Sequence, residues 1–294
     1  MDLLQHLRSE AETVNAHLDH LLPSCEGLAR NVIEAMRYST QAGGKRVRGA
    51  MVRAAAETFG TPKDDVLPTA CGIEMIHTAT LIHDDLPCID DAGLRRGKPS
   101  CHQVFGEATA LLAGDALLIA GLHAIATQAS RFDPARVARA VVEVAELAGI
   151  GGVIAGEAVD IEAEGKPPES ETLAFIHDKK TAALFRAAVR AGAILADVTD
   201  PDLATLTRYA TALGQAFQVT DDILDVIGNP ATMGKQTGGD AAKGKLTYTA
   251  VWGLDGARTR ARELAHEARD AAGQLPANRE FWFALVDFVV EREF

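Results

Sequence analysis

Two runs of carboxylates interrupt an otherwise apolar sequence. The first, Asp84-Asp85-Leu86-Pro87-Cys88-Ile89-Asp90-Asp91, closes an apolar stretch that begins near Val66. The second, Asp221-Asp222-Ile223-Leu224-Asp225, lies within a periodic stretch that follows Pro201. On a helix, Asp221 and Asp225 share a face, and Gln218 lies on the same side one turn earlier. Like charges at that spacing repel, and Val219, Ile223 and Leu224 beside them imply partial burial, so the carboxylates call for a cation. Oxygen donors without His or Cys suit Mg²⁺, which keeps several waters and bridges to phosphate oxygens. A single such cluster would read as a solvated face, but two set in apolar helices point to metal chemistry. Neither has the D-x-D-x-D-G pattern of a calcium-binding hand.

The basic residues matter by position. Gly43-Gly44-Lys45-Arg46-Val47-Arg48 puts Lys45 and Arg48 near a helix start, and Arg95-Arg96-Gly97-Lys98 follows the first acidic run. Lys179-Lys180-Thr181, Lys235 and Lys243-Gly244-Lys245 complete the set. Arginine forks grip phosphate oxygens in pairs, while lysine acts as a mobile point charge. The phosphate-loop pattern G-x-x-x-x-G-K-[ST] is absent. His83-Asp84 offers a second reading, the His-Asp step of a helical metal phosphohydrolase, with His77 and His102 as further ligands.

Helices must position these groups. Prolines fall beside polar or glycine-containing segments and leave intervals suited to helices. Asp133-Pro134 and Asp200-Pro201 each read as an N-cap followed by Pro at the first helical position. From Leu203 to Thr220 apolar residues recur every three or four positions, which predicts an amphipathic helix. No alternating Val/Ile run predicts a strand, and Gly149-Ile150-Gly151-Gly152 reads as a site of close helix packing. Without a repeat or a low-complexity linker, the expectation is all-α: one helical domain over residues 1–294.

Composition bounds the partners. Asp plus Glu number 41 against 29 Lys plus Arg, a net charge of −12, which disfavours nucleic acid. At 47% hydrophobic residues the chain can bury a sizeable core. Cys25, Cys71, Cys88 and Cys101 form no C-x-x-C pair, so a reducing, cytoplasmic setting is expected. The first residues show no secretory pattern. The stretch from Ala116 to Ser130 falls short of the roughly 20 apolar residues that a membrane span needs, so none is expected.

The ordered set resembles the trans-type isoprenyl diphosphate synthases. Leu81–Asp91 followed by Leu94-Arg95-Arg96-Gly97-Lys98-Pro99 resembles that family's first aspartate-rich motif, and Asp221–Asp225 its second. Gly43–Arg48, Phe105-Gly106-Glu107, Ala113–Leu118, Lys180-Thr181 and Gly234-Lys235 follow in the family's order, so the likeness runs from about Met36 to Leu254. The resemblance implies a single-domain, isoprenoid-synthase-type helical bundle around a central active-site cavity, which joins isopentenyl diphosphate head to tail onto dimethylallyl, geranyl or farnesyl diphosphate. It implies that Asp84, Asp90 and Asp221, supported by Asp85 and Asp225, hold Mg²⁺, three ions per site, on the allylic diphosphate. Arg95, Lys180, Lys235 and Lys245 would add positive charge there. Gly44, Lys45, Arg48, His77 and Arg96 would hold isopentenyl diphosphate, and Thr181 and Gln218 would offer oxygen dipoles to the allylic cation. The catalytic set is then Lys180, Thr181, Gln218, Asp84 and Asp221. A homodimer is implied as well, the alternative being a non-catalytic subunit in a dimer.

Two residues depart from the family pattern: Glu157 stands where Gln is usual, and Glu291-Arg292-Glu293-Phe294 lacks a basic ending. Thr80 and Ala79, four and five residues before Asp84, fall where the family closes its chain pocket. Both are small, and a helical turn of about 5.4 Å approximates one isoprene unit. The expected product is therefore geranylgeranyl diphosphate, twenty carbons, with Met75 and Ile76 a turn deeper as the stop. The alternatives are the fifteen-carbon farnesyl diphosphate, and a floor set by another helix near Leu117–Gly121.

Overall fold

The computed structural model describes residues 1–228 and 244–291. It is all-α apart from one two-residue pair of strands, Leu94–Arg95 (β1) and Lys98–Pro99 (β2). Strands this short leave no alternation to read in the sequence. Packing divides the chain into two compact units: Asp2–Val142 with Ala191–Asp197, and Glu143–Arg190 with Val198–Phe294 and Met1.

The first unit holds α1 (Leu3–Leu21), α2 (Arg30–Thr40), α3 (Val47–Thr58), α4 (Leu67–Asp84), α5 (Cys101–Phe105), α6 (Glu107–Ala126) and the start of α7 (Pro134–Ala148). Helix α4 is its core and is buried around most of its circumference. It crosses α6 at glycines. A Cβ on Gly72 would lie 2.5 Å from the Gly121 carbonyl oxygen, and one on Gly121 would lie 2.6 Å from that of Gly72. Val14 and Leu18 of α1, Ala35 and Met36 of α2, Cys71, Met75, Ala79 and Ile82 of α4, and Ala110, Ala113 and Leu117 of α6 form one buried cluster.

The second unit holds α8 (Val153–Ala163), α9 (Ser170–Ile176), a π-helical segment (His177–Ala182), most of α10 (Ala183–Leu195), α11 (Asp200–Ile227), α12 (Tyr248–Gly273) and α13 (Arg279–Glu291). Buried Tyr209 of α11 donates to the Trp282 carbonyl at 2.8 Å, and their rings meet edge to face, tying α11 to α13.

Local expectations are met and corrected at named residues. Asp133 caps α7, accepting from Ala135 N–H at 2.8 Å. For α11 the cap is Thr199, which accepts from Asp202 N–H, and Asp200 is the first helical residue. Gly149–Gly152 is the turn between α7 and α8 and not a helix-packing surface: a Cβ on Gly152 would lie 1.9 Å from the carbonyl oxygen of Leu147 in its own preceding helix. The apolar segment expected to start at Ala116 starts earlier. Helix α6 and the 3₁₀ turn after it, Glu107–Ser130, span 24 residues, long and apolar enough by composition to cross a membrane. One face of this segment is used inside the unit, against α4 and α2.

Candidate active site

The first acidic run is folded by its own backbone. Asp84 is the last residue of α4, and the chain turns back through Asp91 at φ +48°. Asp90 N–H then donates to the Asp84 carbonyl at 2.9 Å, and Ala92 N–H to that of Asp85 at 3.2 Å. Two carboxylates six residues apart are thereby brought to one end of α4. Asp85 is committed elsewhere: it is 2% exposed, and Arg95 lays its guanidinium across it, Nε at 3.0 and 3.2 Å from the two oxygens. Burial pushes the Asp85 carboxyl up, while the Arg95 hydrogen bonds and charge pull it back.

The β-hairpin sends its two arginines to different places. Arg96 and Gly97, at φ +54° and +75°, form the two-residue turn, a left-handed pair of the kind tight hairpins require. Arg95 reaches Asp85, whereas Arg96 donates to the Gly43 carbonyl. Gly44, at φ +120°, has a backbone that side-chain-bearing residues rarely adopt, and a Cβ there would also displace the Arg96 guanidinium, 2.6 to 2.9 Å away.

Beside this contact Arg48 of α3 meets Nε2 of His77 on α4 at 3.2 Å, which makes that nitrogen the acceptor of a neutral imidazole. Burial, followed by the charges of Arg48, Arg96, Arg46 and Arg95, drives the His77 pKa well below its ordinary value. Burial also pushes Arg48 down to about 10, with Glu74 opposing and Arg96 adding. So Gly44, Arg48, His77 and Arg96 gather as the sequence implied, and Lys45 is exposed in the same loop. Sequence reasoning missed the support beneath them. Buried Arg46 donates to Asn15 at 2.8 Å and pairs with buried Glu74 at 3.5 Å, and Glu74 also takes the Gly49 N–H at 2.8 Å. A left-handed Arg46, φ +49°, sets the start of α3.

In the other unit, the π-helical segment widens the turn that carries Lys180 and Thr181. Lys180 turns to α8, where Nζ lies 3.0 and 2.8 Å from the two oxygens of Glu157 and 2.6 Å from Asp160. Thr181 turns to α11 and donates to Gln218 Oε1 at 2.6 Å. The Gln218 amide donates to Asp222 at 2.9 Å, although the sequence placed Gln218 on the face of Asp221. Asp222 is 2% exposed and also accepts from Tyr248 N–H at 2.7 Å, with His177 Nε2 at 3.3 Å. Asp160 and His177 are therefore contacts that the sequence did not single out, and Asp222, although within the second acidic run, was given no role. The i, i+4 step from Gln218 to Asp222 was its available signal. Asp225 is buried, and Asp221 lies half-buried one turn before it. Lys245 is half-buried ahead of Thr247, the cap of α12, and Lys235 lies outside the described residues.

The second aspartate of each run thus has an internal partner: Asp85 in one unit, Asp222 in the other. Among the described residues no three His, Cys, Asp or Glu side chains converge as a preformed cage. Paired carboxylates, Asp84 with Asp90 and Asp221 with Asp225, suit an ion that takes one or two protein oxygens and completes its shell with water and substrate phosphate. The phosphohydrolase reading loses its ligands. His77 faces Arg48, His83 contacts the Leu111 carbonyl at 3.3 Å and Asp115 at 3.7 Å, and His102 lies between Ser100 at 3.2 Å and Gln103 at 2.9 Å.

Residues 29–278 match the family model described as polyprenyl synthetase. The chain belongs to the polyprenyl synthetase family. It is 46% identical over 274 residues to the heterodimeric geranylgeranyl pyrophosphate synthase large subunit 1 of Arabidopsis thaliana, covering 92% of this chain and 73% of that one. It is 42% identical over 261 residues to the farnesyl diphosphate synthase of Bacillus subtilis, covering 88% of each. The geranylgeranyl pyrophosphate synthetase structure from Pyrococcus horikoshii superposes with a TM-score of 0.90 at 28% identity, covering 99% of both chains. This polyprenyl synthetase is accordingly a short-chain prenyltransferase.

Proposed function

We propose that this polyprenyl synthetase makes geranylgeranyl diphosphate by adding isopentenyl diphosphate in turn to dimethylallyl, geranyl and farnesyl diphosphate, with three Mg²⁺ ions per site. The observation that carries the product length is Ala79. It is fully buried and clustered with Met75, Ala113 and Leu117, so a small side chain occupies the turn below Asp84 and Met75 the turn below that. Ile76 is drawn away, against Gly121, where a Cβ would lie 2.7 Å from it. That leaves Met75 as the stop. Feeding each allylic diphosphate with labelled isopentenyl diphosphate and resolving the products by chain length tests the reading. Accumulation of the fifteen-carbon product would make the enzyme a farnesyl diphosphate synthase.

On this reading Asp84, Asp90, Asp221 and Asp225 hold the metal, and Asp85 acts through Arg95. Bound Mg²⁺ would neutralise the charge that builds on the departing diphosphate. Arg48, His77, Arg96, Lys45 and the open backbone at Gly44 hold the second diphosphate, so the isopentenyl double bond meets the allylic carbon as an intramolecular partner. The allylic C–O bond breaks and the diphosphate leaves with the electron pair. The double bond attacks the cation, and a proton passes from the adduct to the released diphosphate. Thr181 and Gln218 present oxygen dipoles to the cation without a nucleophile strong enough to trap it.

The enzyme is also proposed to be a homodimer. The face of α6 turned away from α4 exposes Leu111 by 46%, Leu112 by 57% and Ile119 by 69%, one apolar stripe at helical spacing. Sedimentation of the wild type and of Ile119→Asp distinguishes a dimer through this stripe from a monomer.

A further inference from the structure

Lys180 is held by more negative charge than it carries. Glu157 and Asp160, one turn apart on α8, together place two carboxylates on one ammonium, at 2.6 to 3.0 Å. The backbone under this contact is fixed as well: a Cβ on Gly156 would lie 2.1 Å from the Lys180 amide nitrogen, so α8 and the π-helical segment touch main chain to main chain. The side chain of Lys180 is therefore aimed by α8, and its charge is more than cancelled before any substrate arrives. Lys179 does not make up the difference, since its ammonium turns to the Gly151 carbonyl at 3.1 Å and to Asp178 at 3.6 Å.

We propose that Glu157 is a positioning residue that holds Lys180 in an anionic cradle and weakens its grip on the allylic diphosphate, both substrate and product. Asp160 alone would balance the ammonium. The second carboxylate leaves one negative charge in excess where a diphosphate must approach. Substrate binds less tightly as a result, and the elongated diphosphate leaves more readily. This rests on the proposed role of Lys180 toward the allylic diphosphate. Glu157 touches Lys180, which is assigned to the allylic diphosphate and not to isopentenyl diphosphate, so the two substrates should respond differently.

The test compares wild type with Glu157→Gln, which keeps the shape and one hydrogen bond but removes the charge, and with Glu157→Asp, which keeps the charge. Titration calorimetry with a non-ionising allylic thiolodiphosphate and Mg²⁺ reads binding directly, and steady-state kinetics read KM for each substrate. Losing one partly screened charge should tighten analogue binding and lower the allylic KM by about 3- to 10-fold in Glu157→Gln. KM for isopentenyl diphosphate should stay within about 2-fold, and Glu157→Asp should behave like wild type. Unchanged analogue affinity in Glu157→Gln, or equal movement of both KM values, would overturn the proposal. A wild type that elongates nothing would instead remove the functional reading beneath it.

Discussion

Arg95 closes a fork over Asp85, with Nε 3.0 and 3.2 Å from its two oxygens, and so gives the second carboxylate of the first acidic run a partner within the protein. The pair lets the run turn sharply at the end of α4 while Asp84 and Asp90 stay together. Arg95→Ala would leave a 2%-exposed carboxylate without its partner. Breaking a buried pair in this way costs roughly 3 to 5 kcal/mol, reduced here toward the lower figure because Arg95 itself is partly exposed. Chemical denaturation should show that loss, and Arg95→Ala with Asp85→Asn should recover part of it, since no unpaired charge remains buried.

His77 makes stability depend on pH. Its folded-state pKa lies well below 6.5, through burial and then the surrounding arginines, so below pH 6.5 the unfolded chain binds a proton that the folded chain refuses. Stability from this group is complete above pH 6.5 and falls as the pH drops below it, by at most about 1.4 kcal/mol per pH unit. Thermal melts of wild type and His77→Gln between pH 7.5 and 5 should diverge, the wild type losing more. Parallel curves would remove His77 from the account.

The floor of the proposed chain pocket can be raised or lowered. Ala79→Tyr puts an aromatic ring into the buried cluster shared with Leu117, and the product should shorten to fifteen carbons. Met75→Ala, one turn deeper, should let products longer than twenty carbons appear. Product chromatography reads both, and no change in either variant would move the floor to another helix.

The crossing of α4 and α6 admits no side chain. Gly121→Ala would bring a Cβ to 2.6 Å from the Gly72 carbonyl oxygen, and the helices would have to part. Overpacking of this kind costs typically 1 to 3 kcal/mol, so the urea midpoint should fall by about 1 M or less. Because the same helices carry Asp84 and Ala79, product length should broaden in the variant.

Much of this was legible in the residues because the chemistry needs local spacing. The apolar stretch closing at Asp84, the helix following Pro201 and the four-residue step from Asp221 to Asp225 follow from helical periodicity and charge, whereas the grouping of Gly44, Arg48, His77 and Arg96 came only from the family resemblance. The partners of the second aspartates did not, because Arg95 reaches Asp85 only through a left-handed hairpin turn, and Tyr248 N–H reaches Asp222 from 26 residues away. Glu157 was visible as an unusual charge, yet its contact with Lys180 depends on a π-helical turn that no periodicity announces. The net charge of −12 misleads about the substrate, since part of that acid is the proposed seat of the metal and Glu157 and Asp160 face a lysine.

The most direct test is the product formed from dimethylallyl diphosphate and isopentenyl diphosphate, resolved by chain length with Mg²⁺ and with chelator. The account predicts geranylgeranyl diphosphate as the longest abundant product with Mg²⁺, and no elongation once the metal is removed. Elongation that survives the chelator, or folded enzyme that forms no prenyl product with Mg²⁺, would contradict it.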